Sequence, residues 1–268
     1  MSGEIRVERK GKVAVVTIDR PQRRNTFDTV MLSGLEKATA ALKDTLPRAV
    51  VITGVGDAFS AGFDVNPDNP MVSQLGDAMG KNDPAPAKAL IDYLRRVIDG
   101  FISLPVPIIA ALNGLAYGGG AELAVRCDMR VIDPAAVICF SEVRLGLMPD
   151  WGGGATLTRL VGPSAAADLI LTGRKVGAGE ALRLGLVNRV SPPGGALEEA
   201  LGVAGQIAEN GPRAVVSALE IIRRGRSLPL EDALDLEAER AVSLIASGEC
   251  VYGITAFLEK KKPEFPDI

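Results

Sequence analysis

Three short, almost wholly apolar runs constrain this chain most: RAVVITG at 48–54, PVPIIAALNG at 105–114 and MRVIDP at 129–134. Runs of this length, bounded by glycine or proline, fit buried strands better than helices. Between and before them lie helical patterns at 29–43, with Asp28 as a fitting N-cap, and at 87–103. An alternating pair at 5–9 and 13–19, joined through Lys10-Gly11, reads as a hairpin. Residues 66–86 are rich in Pro, Asp, Asn and Gly and read as a long mobile loop. From residue 196 onward only helical patterns follow, in LEEALGVAGQIAEN, PRAVVSALEIIRR, PLEDALDLEAERAVSLIASG and VYGITAFLEKKKP. Alternation followed by helices alone argues an α/β core over 1–195 and a helical C-terminal module over 196–268. A doubly wound sheet would suit the same strands, and composition does not choose.

With 268 residues, 47% of them hydrophobic, the chain can bury a large core. Thirty basic against 33 acidic residues leave a net charge of −3, which offers neither a nucleic-acid footprint nor a polybasic membrane patch. The longest apolar stretch, around 106–125, is broken by Asn113, Glu122 and several glycines, too often to span a bilayer. The N-terminus carries charges where an export signal needs an apolar core. Cys127, Cys139 and Cys250 form neither a CxxC pair nor an even framework, which suits a reducing cytoplasm. There is no histidine, so Ser-His-Asp, Cys-His and HExxH chemistries are all removed. Proton transfer falls to carboxylates, Lys, Tyr or Cys, and no metal is implied.

The segment GLAYGGGAELAV, residues 114–125, then asks for an explanation. Glycines where a strand turns into a helix permit positive φ and close approach of a ligand. The first N–H groups of a helix lack internal partners and sit at its positive end, a suitable place for a developing oxyanion. Glu122, three residues past Gly119, leans back toward that end. Tight helix–strand packing accounts for the glycines of this segment equally well. GVGDAFSAGFDV, 54–65, offers a second run of small residues after a strand, and by itself it is an ordinary βα turn. SEVRLGLMPDWGGG, 141–154, adds Glu142, read on a strand edge, and Asp150, which could instead be an N-cap.

Together and in this order, these segments resemble the enoyl-CoA hydratase/isomerase (crotonase) superfamily. IDRPQRRNTFD, AFSAGFD, PIIAALNGLAYGGGAELAVRCD, SEVRLGLMPDWGG, LTRLVGPSAAADLILTGRKVGAGEALRLGLVNRV and the tail AFLEKKKP carry the likeness over nearly the whole chain. The resemblance implies a crotonase-like α/β spiral of ββα units, with C-terminal helices that pack subunits into homotrimers or hexamers. It implies an acyl-CoA thioester substrate, with coenzyme A as part of that substrate and no other cofactor. The family's two oxyanion-hole amides are mapped onto Ser60 and Gly119, and its two catalytic glutamates onto Glu122 and Glu142. Ala58, Ala61, Gly62, Asp64 and Gly118 fall in the substrate-binding segments. Phe257 and Lys260 match positions that hold the nucleotide end of coenzyme A, commonly from a neighbouring subunit.

Two departures stand out. Ser141 replaces the proline many hydratases carry before the second glutamate. Asp150 falls where the family's isomerases place a catalytic acid and many hydratases have glycine. Both glutamates being present favours an enoyl-CoA hydratase; an enoyl- or dienoyl-CoA isomerase using Asp150 is the alternative, and a non-catalytic acyl-CoA-binding scaffold the third reading.

Overall fold

The computed structural model describes residues 3–79 and 83–267. The hairpin forms as expected: β1 (Glu4–Lys10) pairs antiparallel with β2 (Val13–Asp19). Helix α1 (Thr29–Asp44) follows, its first turn closed by Asp28, whose carboxylate accepts the Met31 N–H at 2.9 Å. The chain then repeats one excursion three times. A strand of the large sheet leads to a three-residue strand of a small sheet, and then to helix. The first excursion is β3 (Ala49–Gly54), β4 (Ala58–Ser60), α2 (Pro70–Met79) and α3 (Ala85–Ile102). The second is β5 (Ile108–Leu112), β6 (Leu115–Tyr117) and α4 (Gly119–Arg126). The third is β7 (Met129–Ile132), β8 (Val137–Cys139), α5 (Gly153–Val161) and α6 (Pro163–Thr172). Two short strands, β9 (Val176–Gly177) and β10 (Arg189–Val190), flank α7 (Ala178–Arg183). The large sheet runs β1-β2-β3-β5-β7-β10, parallel from β2 onward, and the small one β4-β6-β8-β9. This is the ββα spiral.

Side chains alternate across β3. Val50 and Ile52 join the main core with Phe27, Leu35, Phe101 and Trp151. Ala49 and Val51 face the opposite way, with Ile109 and Val131, onto α8 (Ala196–Ala208). Ala200, Ala204 and Ala208 recur every four residues on α8, so a smooth face of small side chains lies on the sheet. The helix at which the expected C-terminal module begins is thus a layer of the sheet's own packing. Beyond it α9 (Pro212–Gly225), α10 (Leu230–Ala246) and α11 (Glu249–Leu258) pack mainly on one another and leave Ile222, Leu234, Val242, Ile245, Ile254 and Phe257 exposed. Among the described residues no single helix is long and apolar enough to cross a membrane; α10 and α11 reach that length only as a pair bent by 70°.

Two local expectations are corrected. Residues 66–86 are not one loop, since α2 occupies Pro70–Met79. Proline suits the first position of a helix, and the Asn69 side chain accepts the Met71 N–H at 3.2 Å, so residues that looked like breakers start a helix. Residues 80–82 of that expected loop lie outside the described residues. Glu142, expected on a strand edge, instead opens a 3-10 turn, Glu142–Leu145, just after β8.

Candidate active site

The glycine triplet separates into three jobs. Gly118, at φ 51° and ψ −129°, turns the chain from β6 into α4 in a conformation side chains avoid. A Cβ on Gly119 would stand 2.7 Å from the Trp151 indole, and one on Gly120 only 2.2 Å from the Ser60 carbonyl oxygen. Across from them Gly62 has φ 85°, and a Cβ there would lie 2.6 Å from the Gly119 nitrogen. The two loops therefore touch backbone to backbone, which only glycines allow.

Accounting for the amides in these loops locates the free donors. Ser60 is fully buried within β4, in register with Ala116 of β6; its hydroxyl donates to the Asn25 carbonyl at 2.8 Å and accepts the Gly62 N–H at 3.0 Å. The Ala61 N–H donates to the Arg24 carbonyl and the Asp64 N–H to the Phe27 carbonyl, both at 2.9 Å. Phe63 is left: it lines the cavity, and among the described residues its N–H meets no acceptor. Gly119 lines the same cavity as the first residue of α4, where helical amides lack an internal partner. Ser60, where a donor was expected, is fully buried and does not line the cavity, so the free amide of this loop is that of Phe63.

Three carboxyl groups, Glu122, Glu142 and Asp150, line this cavity of about 230 Å³. Glu122 is 1% exposed. Its Oε2 accepts the Trp151 and Gly153 N–H groups, both at 2.8 Å, and its Oε1 accepts the Asp150 N–H at 3.1 Å. The approach is close, since a Cβ on Gly153 would lie 2.4 Å from Glu122 Cγ. Glu122 thereby holds down the start of α5, a helix whose N-cap, Gly152, has no side chain to do so. Both Glu142 oxygens are buried and have no hydrogen-bond partner among the described residues. Groups so placed in a fold await a ligand or a proton.

Burial dominates the electrostatics. It pushes the Glu122 carboxyl up to about 8; the Gly153 N–H opposes this, while Glu142 and Asp150 add to it. Glu142 is raised by burial, and the Asp150 charge adds to it. Asp150 is raised by burial as well. Among the described residues no Lys or Arg lines the cavity to reverse these shifts. Two such neighbours oppose each other's ionisation, so burial and mutual repulsion together favour a proton held between them. The remaining wall is apolar, from Phe63, Leu94, Leu145 and Trp151 among others. No group of three or more potential ligands able to hold a metal ion occurs among the described residues.

Ala61, Gly118, Gly119, Glu122, Glu142 and Asp150 are therefore brought together. Other expected residues are elsewhere. Ala58 is buried in β4, its carbonyl accepting from the Asn25 and Asn113 side chains. Gly62 is the point of loop contact. Asp64, expected against the coenzyme, is 1% exposed and bound inside the fold to Arg20 at 2.7 Å and to Asn66. Phe257 and Lys260, on and just beyond α11, are exposed and do not line the cavity of their own chain. Phe63 and Trp151 are the functional positions missed. The lone tryptophan, just before a glycine pair, was the available signal for Trp151. Phe63 gave none, because only its backbone matters.

The sequence profile of the family described as Enoyl-CoA hydratase/isomerase matches residues 8–267. The chain is 36% identical to the Short-chain-enoyl-CoA hydratase of Clostridium acetobutylicum, over 96% of this chain and 95% of that one. It is also 36% identical to the Crotonyl-CoA hydratase of Syntrophomonas wolfei, over 97% and 96%. Among solved structures, an enoyl-CoA hydratase from Bacillus anthracis superposes with a TM-score of 0.87 at 32% identity, each chain covered over 98%.

Proposed function

Since the chain belongs to the enoyl-CoA hydratase/isomerase family, we propose that it adds water across the 2,3 double bond of a 2-enoyl-CoA thioester. The observation that carries the reading is a pair of glutamates with buried carboxyl oxygens facing one cavity that, among the described residues, no Lys or Arg lines. The thioester oxygen accepts the Phe63 and Gly119 N–H groups. Charge grows on that oxygen as water adds, so donors held there favour the transition state over the ground state. Of the glutamate pair, the ionised member takes a proton from water as its oxygen bonds to Cβ. The protonated member gives its proton to Cα as the enolate collapses. Atoms and charge balance, and the pair ends with one proton, as it began. Glu122 is oriented by three amides, whereas both Glu142 oxygens are buried without a hydrogen-bond partner among the described residues and so are free to take up water or substrate as one.

Coenzyme A comes and goes with the substrate in this reading. The exposed apolar residues of α9–α11 support a homo-oligomer, a trimer or hexamer, in which Phe257 and Lys260 of one subunit reach the nucleotide of a neighbour's substrate. The free cysteines, two of them buried, fit a reducing cytoplasm. Asp150 favours one second reading, isomerisation of a 3-enoyl- or dienoyl-CoA, because its carboxyl lines the same cavity and is also raised.

The test is product analysis over 2-enoyl, 3-enoyl and dienoyl thioesters with wild type, Glu142→Gln and Asp150→Asn. Hydration of crotonyl-CoA lost in Glu142→Gln and kept in Asp150→Asn is expected. Equal hydration by wild type and Glu142→Gln removes the glutamate from the mechanism. Dienoyl turnover that depends on Asp150, without hydration, selects the isomerase.

A further inference from the structure

Away from the carboxyl groups the cavity runs along α3, and the spacing of that helix divides its surroundings in two. Ala87, Ile91 and Leu94 line the cavity just described. Pro86, Ala89 and Tyr93 line a second one of about 400 Å³. At 3.6 residues per turn these two sets fall on adjacent faces, and Leu90 stands on the ridge between them. It lines both cavities. Helix α2 repeats the arrangement, with Met71 and Gln74 toward the second cavity and Leu75 lining both. Leu75 and Leu90 are the only described residues common to the two linings. Both are half-buried aliphatic side chains with no polar tie. Beyond them the second cavity is larger and carries Thr29, Gln74 and Tyr93 on its wall.

Resting on the enoyl-CoA reading above, we infer that Leu75 and Leu90 form the partition that sets acyl-chain length. A straight acyl tail leaves the glutamate pair along the apolar wall of α3 and stops at these two leucines. The substrates favoured are short 2-enoyl thioesters. Shortening either leucine opens the way into the second cavity, where a longer tail can lie.

The experiment measures kcat/KM for a straight 2-enoyl-CoA series of four to twelve carbons with wild type, Leu90→Ala and Leu75→Ala. The readout is the ratio of long-chain to short-chain activity, which a general loss of stability leaves unchanged. Wild type falls off with length, and each alanine variant moves the optimum to longer chains. Within the opened space each buried methylene adds about fourfold, the equivalent of about 0.8 kcal/mol. Two variants on different helices guard against misfolding of either one. Calorimetric binding of saturated acyl-CoAs of the same lengths repeats the comparison without turnover. A protein that binds this series with the expected shift yet hydrates nothing overturns the hydratase reading and keeps the partition. Hydration with identical length profiles in all three proteins overturns the partition and keeps the hydratase. No binding of any acyl-CoA overturns both.

Discussion

Around Arg20 and around Glu122 this fold buries carboxylates in opposite ways. Arg20 reaches Asp64 at 2.7 Å and Asp28 at 2.9 Å, and its Nη1 also donates to the Thr26 hydroxyl. Burial raises the Asp64 carboxyl, but hydrogen bonds from Asn66 and Arg20 outweigh it and leave the group below its ordinary value. Glu122 is buried and Glu142 and Asp150 are half-buried, no Lys or Arg lines their cavity among the described residues, and all three are raised. Burial by itself therefore does not decide the direction of the shift; at Asp64 the Asn66 amide and the Arg20 guanidinium together reverse it. The first cluster uses its charge to hold the 61–69 loop. In the second, burial favours the protonated form.

The largest effect that could break this contrast lies in catalysis. Glu122→Gln and Glu142→Gln are each expected to lower kcat for crotonyl-CoA hydration by about 10²–10⁴-fold. Because the pair acts as a unit, the double variant should be little slower than the worse single one. Independent, multiplying losses would show two separate groups instead.

Next comes the structural cluster. Arg20→Leu leaves Asp64 buried without its partner and is expected to cost about 3–5 kcal/mol in urea unfolding. Adding Asp64→Leu should restore much of that loss. If Arg20→Leu alone unfolds like wild type, the ion pair does not hold the loop.

The same contrast sets opposite pH dependences of stability. Asp64, lowered in the fold, stabilises above its ordinary value of 3.8, and that contribution is lost as pH falls through its folded value. Glu122, raised from 4.5 to about 8, binds its proton more tightly folded than unfolded. Its favourable term is whole below 4.5 and disappears as pH rises through about 8. Glu122→Gln should therefore flatten the fall in melting temperature between these values, an effect on the order of 5 kcal/mol. An unchanged slope would place the raised group elsewhere. The smallest effect is expected from Asp150→Asn, which should slow hydration far less than loss of either glutamate.

The parts legible from sequence were those written in local pattern. The hairpin, the buried runs that became β3, β5 and β7, and the Asp28 cap each depend on neighbouring residues alone. The small sheet was not legible, because strands as short as Ala58–Ser60 and Leu115–Tyr117 carry no period. Helix α2 was hidden by a composition that usually breaks helices. Within the site, the convergence of Glu122, Glu142 and Asp150 came from the family resemblance, since nothing local relates residues on α4, a 3-10 turn and the lead into α5. The free amide of the 60–64 loop lies at Phe63 rather than at Ser60, where it was expected, for a related reason. The working atom is a backbone nitrogen, and which amide remains free depends on where Ala61, Gly62 and Asp64 send theirs.

The central claim, one proton shared by two glutamates without a counter-cation, is tested most directly by the pH dependence of kcat/KM for crotonyl-CoA hydration. This quantity reports the unliganded enzyme. A bell is predicted: activity rises as the pair gives up its second proton and falls near pH 8 as the last one leaves. A profile flat from about pH 6 to 9 would contradict the account.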